Sequence, residues 1–232
     1  MNNLNHKINP VIEFYKENQH RLLQFQASVE AFFSKHPQLN KKPFPIIHSI
    51  KTRLKDPDHL RDKIQRKKKQ GISITPENLF SEITDLIGIR VLHLYQDQFP
   101  NIHSEILRYI KEGDWVFVES PKAMTWDPES KIMYDELEIE TEIRPTYYTS
   151  VHYIIKPNNN NPNPICCEIQ VRTLFEEIWG EIDHSINYPH PTEHISCKEQ
   201  LRVLSKLVST GTRLADSIFR TLHDHNERKN AL

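Results

Sequence analysis

The 232-residue chain reads as an α/β protein of mixed type: one sheet flanked by helices, with helical additions at both ends. Three observations predict this. The run Cys167–Thr173 alternates at period two, with Glu168, Gln170 and Arg172 on one face and Cys167, Ile169 and Val171 on the other. At Thr173 the period changes: Thr173 and Glu176 have capping-box spacing, and Leu174, Ile178, Ile182 and Ile186 recur as an apolar helical stripe that should turn inward. Finally, DLIGIRVLHLY from Asp85 is a short, nearly continuous apolar run, the pattern of a buried strand.

In chain order, the apolar positions between Pro10 and His36 predict one long amphipathic helix that ends near Pro37. Pro43 and Pro45 break the chain. Residues 46–71 then read as a second helical region, kinked at Pro57 and stopped at Gly71. Pro76–Thr84 is a short helix leading to Asp85 and the buried strand. A helix over 101–111, a strand over 115–119 and a loop over 121–131 carrying Trp126 follow. Leu137, Ile139 and Ile143 alternate with Glu138, Glu140 and Glu142, the pattern of a strand with one wet face, and those glutamates read as surface. In RPTYYTSVHYIIKP, Tyr148, Ser150, His152 and Ile154 share one strand face, where Tyr148 suits either base stacking or sheet packing. NNNNPNP is a turn. Beyond Pro191 the leucines and isoleucines support one or two further helices, with Gly211 a weak point, that cover the core or mediate self-assembly.

Composition bounds the partners. The formal net charge is −1, from 30 basic and 31 acidic residues, so the sum predicts nothing while the distribution does. Nine of the nineteen residues from Lys51 to Lys69 are cationic, including Lys51, Arg53, Lys55, Lys63, Arg66 and Lys67. That density fits a phosphate site, a nucleic-acid patch or a solvated basic face. There is no run of eighteen apolar residues and no charged-then-apolar leader, so a cytoplasmic protein without membrane partners is expected. Three cysteines, Cys166, Cys167 and Cys197, fit a reducing compartment. His184, His190, His194 and Cys197 match no zinc-ligand spacing, and Pro189 and Pro191 interrupt them. Asp85, at the mouth of a strand, suits either a cap or a Mg²⁺ ligand.

Four motifs carry a resemblance. EIQVRT, followed about ten residues later by EIDHSINY, resembles the C-terminal signature of the RelA/SpoT alarmone synthetase family. IKTRLK and then HLRDKIQRK are similar to that family's ATP segment, with His59 where a Ser is usual. DLIGIR from Asp85 looks like its Asp-hydrophobic-x-Gly-hydrophobic-Arg motif. RPTYYTSVH lies where the family carries Gly-Tyr-Arg-Ser-Leu-His, with the Gly replaced by Tyr147 and the Arg by Thr149.

The resemblance spans Ile47 to Tyr188 and implies a nucleotidyltransferase-like core over 43–190, between an N-terminal helical segment (1–42) and a C-terminal one (191–232). By it, Arg53 and Arg90 would flank the adenine of ATP, and Lys55, Lys63, Arg66 and Lys67 would hold the triphosphate. Asp85 and Glu168 would bind Mg²⁺, with Glu168 also the catalytic base. Arg144, Tyr148, His152, Gln170, Arg172, His184 and Asn187 would bind the acceptor. The implied reaction moves pyrophosphate from ATP to the 3′ hydroxyl of GDP or GTP. Two other readings stand beside it: a toxin acting on the tRNA 3′ end or making adenosine alarmones, with an antitoxin partner, and a non-catalytic nucleotide or RNA sensor.

Overall fold

The computed structural model describes residues 2–188 and 191–230, with side chains from Pro10 onward except that of Asn230; Pro189 and His190 of the zinc comparison lie outside the described residues. The N-terminal region forms two helices, α1 (Asn2–Glu17) and α2 (Gln19–Lys35), where one was expected. Asn18 breaks them: its side-chain amide donates to Phe14 O at 2.8 Å while its Oδ1 accepts from Arg21. Short amide side chains compete in this way with the helical ladder.

The basic region also differs from expectation. Ser49–Leu54 is a strand, β1, and Pro57–Lys69 a helix, α3. Asp56 caps α3 by accepting from Asp58 N (2.8 Å) and His59 N (3.3 Å), so Pro57 occupies the first turn and starts the helix rather than kinking it. The short helix α4 (Leu79–Glu82), the buried strand β2 (Ile87–His93), α5 (Phe99–Glu112) and β3 (Trp115–Phe117) follow.

The expected loop over 121–131 instead holds β4 (Lys122–Thr125) and the start of α6 (Pro128–Glu136), which Asp127 caps through Ser130 N at 2.9 Å. Because α6 runs on to Glu136 and Glu138 takes a left-handed φ of 58°, strand β5 is confined to Glu140–Ile143. β6 (Ser150–Pro157), β7 (Cys167–Thr173), α7 (Leu174–Asn187) and one 36-residue helix, α8 (Ile195–Asn230), complete the chain. A Cβ at Gly211 would stand 2.7 Å from the Phe175 ring, so this glycine permits close packing of α8 on α7 rather than weakening the helix.

The seven strands form one mixed sheet in the order β1-β2-β7-β6-β4-β5, with β3 also on β6. β2 runs parallel to β7 and antiparallel to β1, and β6 runs antiparallel to β7. The register sorts the two faces. Ile87, Ile89 and Val91 align with Cys167, Ile169 and Val171, and these with Val151, Tyr153 and Ile155, all fully buried. Tyr15, Leu22, Val29 and Phe33 of α1 and α2 join this core, each fully buried apolar side chain contributing roughly 1.5–3 kcal/mol. The opposite face carries Lys51, Arg53, Gly88, Arg90, Glu168, Gln170 and His152 in facing positions.

α7 lies against that polar face and corrects the expected stripe. Ile178 is 53% exposed and Ile182 38%, while Glu177 and Trp179 are buried. The helix is anchored instead by the Trp179 indole donating to Leu201 O of α8 (3.0 Å) and by Glu177 meeting the cations of the sheet. Helical spacing names the sides of a helix, but its neighbours decide which side is covered. Among the described residues no helix is long and apolar enough to cross a membrane.

Candidate active site

Three linked groups of side chains occupy the polar face. At the mouth of β2, Asp85 Oδ2 accepts from Lys55 Nζ and pairs with Lys63 Nζ, each at 2.8 Å. Burial pushes the Asp85 carboxyl up, but the two ammoniums outweigh it and hold it below the ordinary aspartate value. Burial pulls the Lys55 ammonium down, and Asp85 only partly restores it. Asp85 Oδ1 is buried without a hydrogen-bond partner.

The second group centres on Glu168, one strand over and in register with Gly88. Its Oε1 lies 3.2 Å from His152 Nδ1, and its Oε2 accepts from Gln170 Nε2 at 2.8 Å. Gln170 Oε1 accepts from Arg172 (2.5 Å), whose guanidinium lies 5.5 Å from the centroid of the Tyr148 ring; the Tyr148 hydroxyl and His152 Nε2 are 2.9 Å apart. The five side chains thus close a ring, each oriented by its neighbours. Burial pushes the Glu168 carboxyl up, yet His152 outweighs it and leaves it below the usual glutamate value. The charge of Asp85 acts on Glu168 from the opposite direction, so the two carboxylates lie within one electrostatic neighbourhood.

The third group joins sheet and helix. Glu177 is buried, and its Oε1 accepts from Lys51 (2.8 Å) and Arg90 (3.1 Å), while its Oε2 lies 3.3 Å from Arg172 Nε. Arg90 also pairs with Glu181. Lys51, Thr52, Arg53, Gly88, Ile89, Arg90 and Gln170 line a cavity of about 200 Å³. Its floor is open because Gly88 has no side chain: a Cβ there would stand 3.2 Å from Arg53 Nε. The two arginines expected on either side of a base therefore share one cavity.

Other expected residues stand apart from these groups. Arg66 is exposed on α3, and Lys67 Nζ lies 3.6 Å from Glu82. Arg144 donates to Met124 Sδ and Glu142. Asn187 is engaged at both ends of its amide, donating to Asp183 and accepting from Thr192 N, so it ties down the end of α7. His184 stacks on Tyr188 (ring centroids 4.6 Å apart), and His59 meets the same ring edge-on at 5.1 Å. Tyr148, by contrast, belongs to the Glu168 group, although it precedes β6 rather than lying within it; it is partly buried, with Arg172 packed against its ring.

The resemblance gave Glu177 and Lys51 no individual role, although Lys51 is one of the nine clustered cations. Their signal was present: Glu177 shares a helix side with Glu181 and His184, and Lys51 a strand face with Arg53. Gly180 also belongs here, since a Cβ on it would stand 2.7 Å from Arg172 Nη1.

Against this geometry, the sequence model described as "Region found in RelA / SpoT proteins" matches residues 52–193. The chain belongs to the RelA/SpoT family. The match takes in the Asp85, Glu168 and Glu177 groups, all but Lys51. Among relatives, the chain is 28% identical over 152 residues to the GTP pyrophosphokinase YwaC of Bacillus subtilis (strain 168), covering 62% of this chain. It spans about three fifths of the length of that curated relative, 59%. Among solved structures, this RelA/SpoT fold resembles a GTP pyrophosphokinase family protein from Streptococcus pneumoniae, with a TM-score of 0.67 at 19% identity over 92% of this chain and 94% of that one. It also resembles small alarmone synthetase 1 from Bacillus subtilis, with a TM-score of 0.66 at 19% identity over 90% and 98%. The latter protein bound to its product pppGpp gives a TM-score of 0.64 at 20% identity over 89% and 98%. The mixed sheet flanked by helices is thus the small alarmone synthetase fold.

Proposed function

We propose that the chain is an ATP-dependent pyrophosphokinase, moving the β,γ-pyrophosphate of ATP to the ribose 3′ hydroxyl of GDP or GTP to make (p)ppGpp and AMP. The observation that carries the reading is the single sheet face on which Asp85, with Lys55 and Lys63, neighbours Glu168 beside the Arg53–Arg90 cavity. The names of the relatives, and the pppGpp held by one of them, point the same way.

A ribose hydroxyl is a poor nucleophile, so a carboxylate must take its proton as it attacks. Glu168 suits this: His152 keeps it ionised despite burial, and Gln170 fixes its second oxygen. The bond from O3′ to the β-phosphorus forms as the bond from that phosphorus to the AMP oxygen breaks. Arg53 and Arg90 hold the adenine, while Lys55 and Lys63, with Arg66 and Lys67 of α3, meet the triphosphate and exchange part of their contact with Asp85 and Glu82 for phosphate oxygens. On the acceptor side Tyr148 offers the base its ring beside His152, Gln170 and Arg172, while Arg144, His184 and Asn187 would have to leave their present partners to reach it.

The donor set fits Mg²⁺. The orphaned, buried Oδ1 of Asp85 and the nearby Glu168 supply the one or two carboxylates this ion takes, the remaining ligands being phosphate and water oxygens. When bound it would neutralise charge developing on the transferred phosphoryl oxygens.

The acceptor is the open element. Tyr147 and Thr149 depart from the family's Gly and Arg, and the exposed Arg66, Lys68 and Lys69 extend the basic surface of α3 as a track for a tRNA 3′ end. Incubation with γ-labelled ATP and Mg²⁺ plus GDP, GTP, ATP or bulk tRNA separates these readings. Label on GDP or GTP supports the guanosine acceptor. Label confined to tRNA or ATP assigns a toxin, for which an antitoxin would be sought by co-purification, and label on none favours the sensor.

A further inference from the structure

On the side of α7 away from the catalytic groups lies a second cavity, of about 450 Å³, bounded by α6, α8 and the segments around Trp126 and Tyr147. Its size is that of a small-molecule site, typically about 300–1,000 Å³. Its charge is lopsided: six carboxylates line it against two guanidiniums. Both guanidiniums are already engaged. Arg213 donates to the two oxygens of Asp127 (2.6 and 2.5 Å) and pairs with Glu129, and Arg220 makes two bonds of 2.6 Å to Asp97. Among the described residues, Glu136, Glu176 and Asp216 have no cationic partner within salt-bridge distance.

Two further features point to a ligand. Thr212 lines the cavity, and its hydroxyl is buried (6% residue exposure) and makes no hydrogen bond. The Trp126 and Tyr147 rings meet at 73° with centroids 5.5 Å apart, forming two adjoining aromatic walls. Aromatic faces beside unpaired carboxylates attract cations and repel phosphates. Among the described residues no group of three or more His, Cys, Asp or Glu is arranged to hold a metal ion, and the aromatic corner favours an organic cation.

We infer that this cavity binds a small organic cation, an alkylamine or guanidine, seated in the Trp126–Tyr147 corner with its N–H groups donating to Glu176, Asp216 and the Thr212 hydroxyl. The site is separate from the nucleotide cleft, yet Tyr147 in its wall is bonded in sequence to Tyr148 of the catalytic ring.

The test is calorimetric titration of the full chain with agmatine, spermidine and arginine amide in mildly alkaline, low-salt buffer, with succinate and GMP as anionic controls. Saturable binding of at least one cation is expected, weakened at least about tenfold in Glu176→Gln and in Trp126→Ala. Glutamine also serves in a capping box, so Glu176→Gln retains the bond to Thr173 N and the fold, which its circular dichroism checks. The inference is overturned if no cation binds saturably, if both variants bind as tightly as the parent, or if the anions bind more tightly than the cations.

Discussion

Glu176 and Glu177 are adjacent on α7 and end in opposite electrostatic states. Glu177 faces the sheet, where burial pushes its carboxyl up but Lys51, Arg172 and Arg90 outweigh that and hold it below the ordinary glutamate value. Glu176 faces the second cavity, where burial pushes it up to about 7 against the capping bonds to Thr173 and the more distant charge of Arg172. One residue along a helix is a rotation of about 100°. Both carboxyls are pushed up by burial, but the sheet side of α7 brings three cations, from β1, β2 and β7, where the α6–α8 side has spent both of its guanidiniums on other carboxylates.

The strongest way to break this comparison is to disable the cleft side. Glu168→Gln keeps the contact with Gln170 but cannot take a proton, so pyrophosphate transfer should fall by about 10³-fold with unchanged circular dichroism. Full turnover in the purified variant would remove Glu168 from the reaction.

Glu177→Ala comes next. It leaves Arg172, itself buried, and Lys51 and Arg90 without their shared partner, a loss of about 3–5 kcal/mol that urea unfolding would read. A loss under about 1 kcal/mol would show the hub to be no more than a surface pair.

On the other side of α7 the prediction concerns pH. A carboxyl raised to about 7 when folded, against 4.5 ordinarily, contributes stability that is complete below about 4.5 and is lost as pH rises through about 7. Between about pH 5 and pH 8 the parent should therefore lose up to about 2–3 kcal/mol relative to Glu176→Gln. His93 runs the opposite way. Burial in β2 lowers it from 6.5 to about 4, so its contribution is present above 6.5 and lost as pH falls through about 4. The difference between parent and variant isolates Glu176, and a flat difference curve would show that its environment is ordinary.

The smallest expected effect sharpens the cleft side. Gly88→Ala places a methyl 3.2 Å from Arg53 Nε, and this flexible side chain yields. The KM for ATP should rise by a few-fold, about 0.5–1 kcal/mol, with little change in stability. An unchanged KM would separate Arg53 from nucleotide binding.

Much of this site was legible in local pattern. Period-two alternation put Glu168, Gln170 and Arg172 on one side of β7, and the Thr173–Glu176 box opens α7 as its spacing requires, with Glu176 Oε2 accepting from Thr173 N at 2.6 Å. Other features were misread because two local codes overlap. In 49–54 apolar and cationic residues alternate as in a strand, yet the neighbouring lysines and arginines favour helix, and β-pairing with β2 decides between them. The capping aspartates Asp56 and Asp127, each just before a proline, carried the starts of α3 and α6.

By itself, then, the sequence determined which side chains share a strand face or a helix turn, because those relations follow from backbone periods of 2.0 and about 3.6 residues. Only the tertiary structure decided that α7 turns Glu177 rather than Ile178 toward its neighbours, that Asp85 in the turn before β2 and Glu168 on β7 feel one another's charge, and that a second, acid-rich cavity lies behind them. Those outcomes depend on contacts between segments far apart along the chain, which periodicity does not encode.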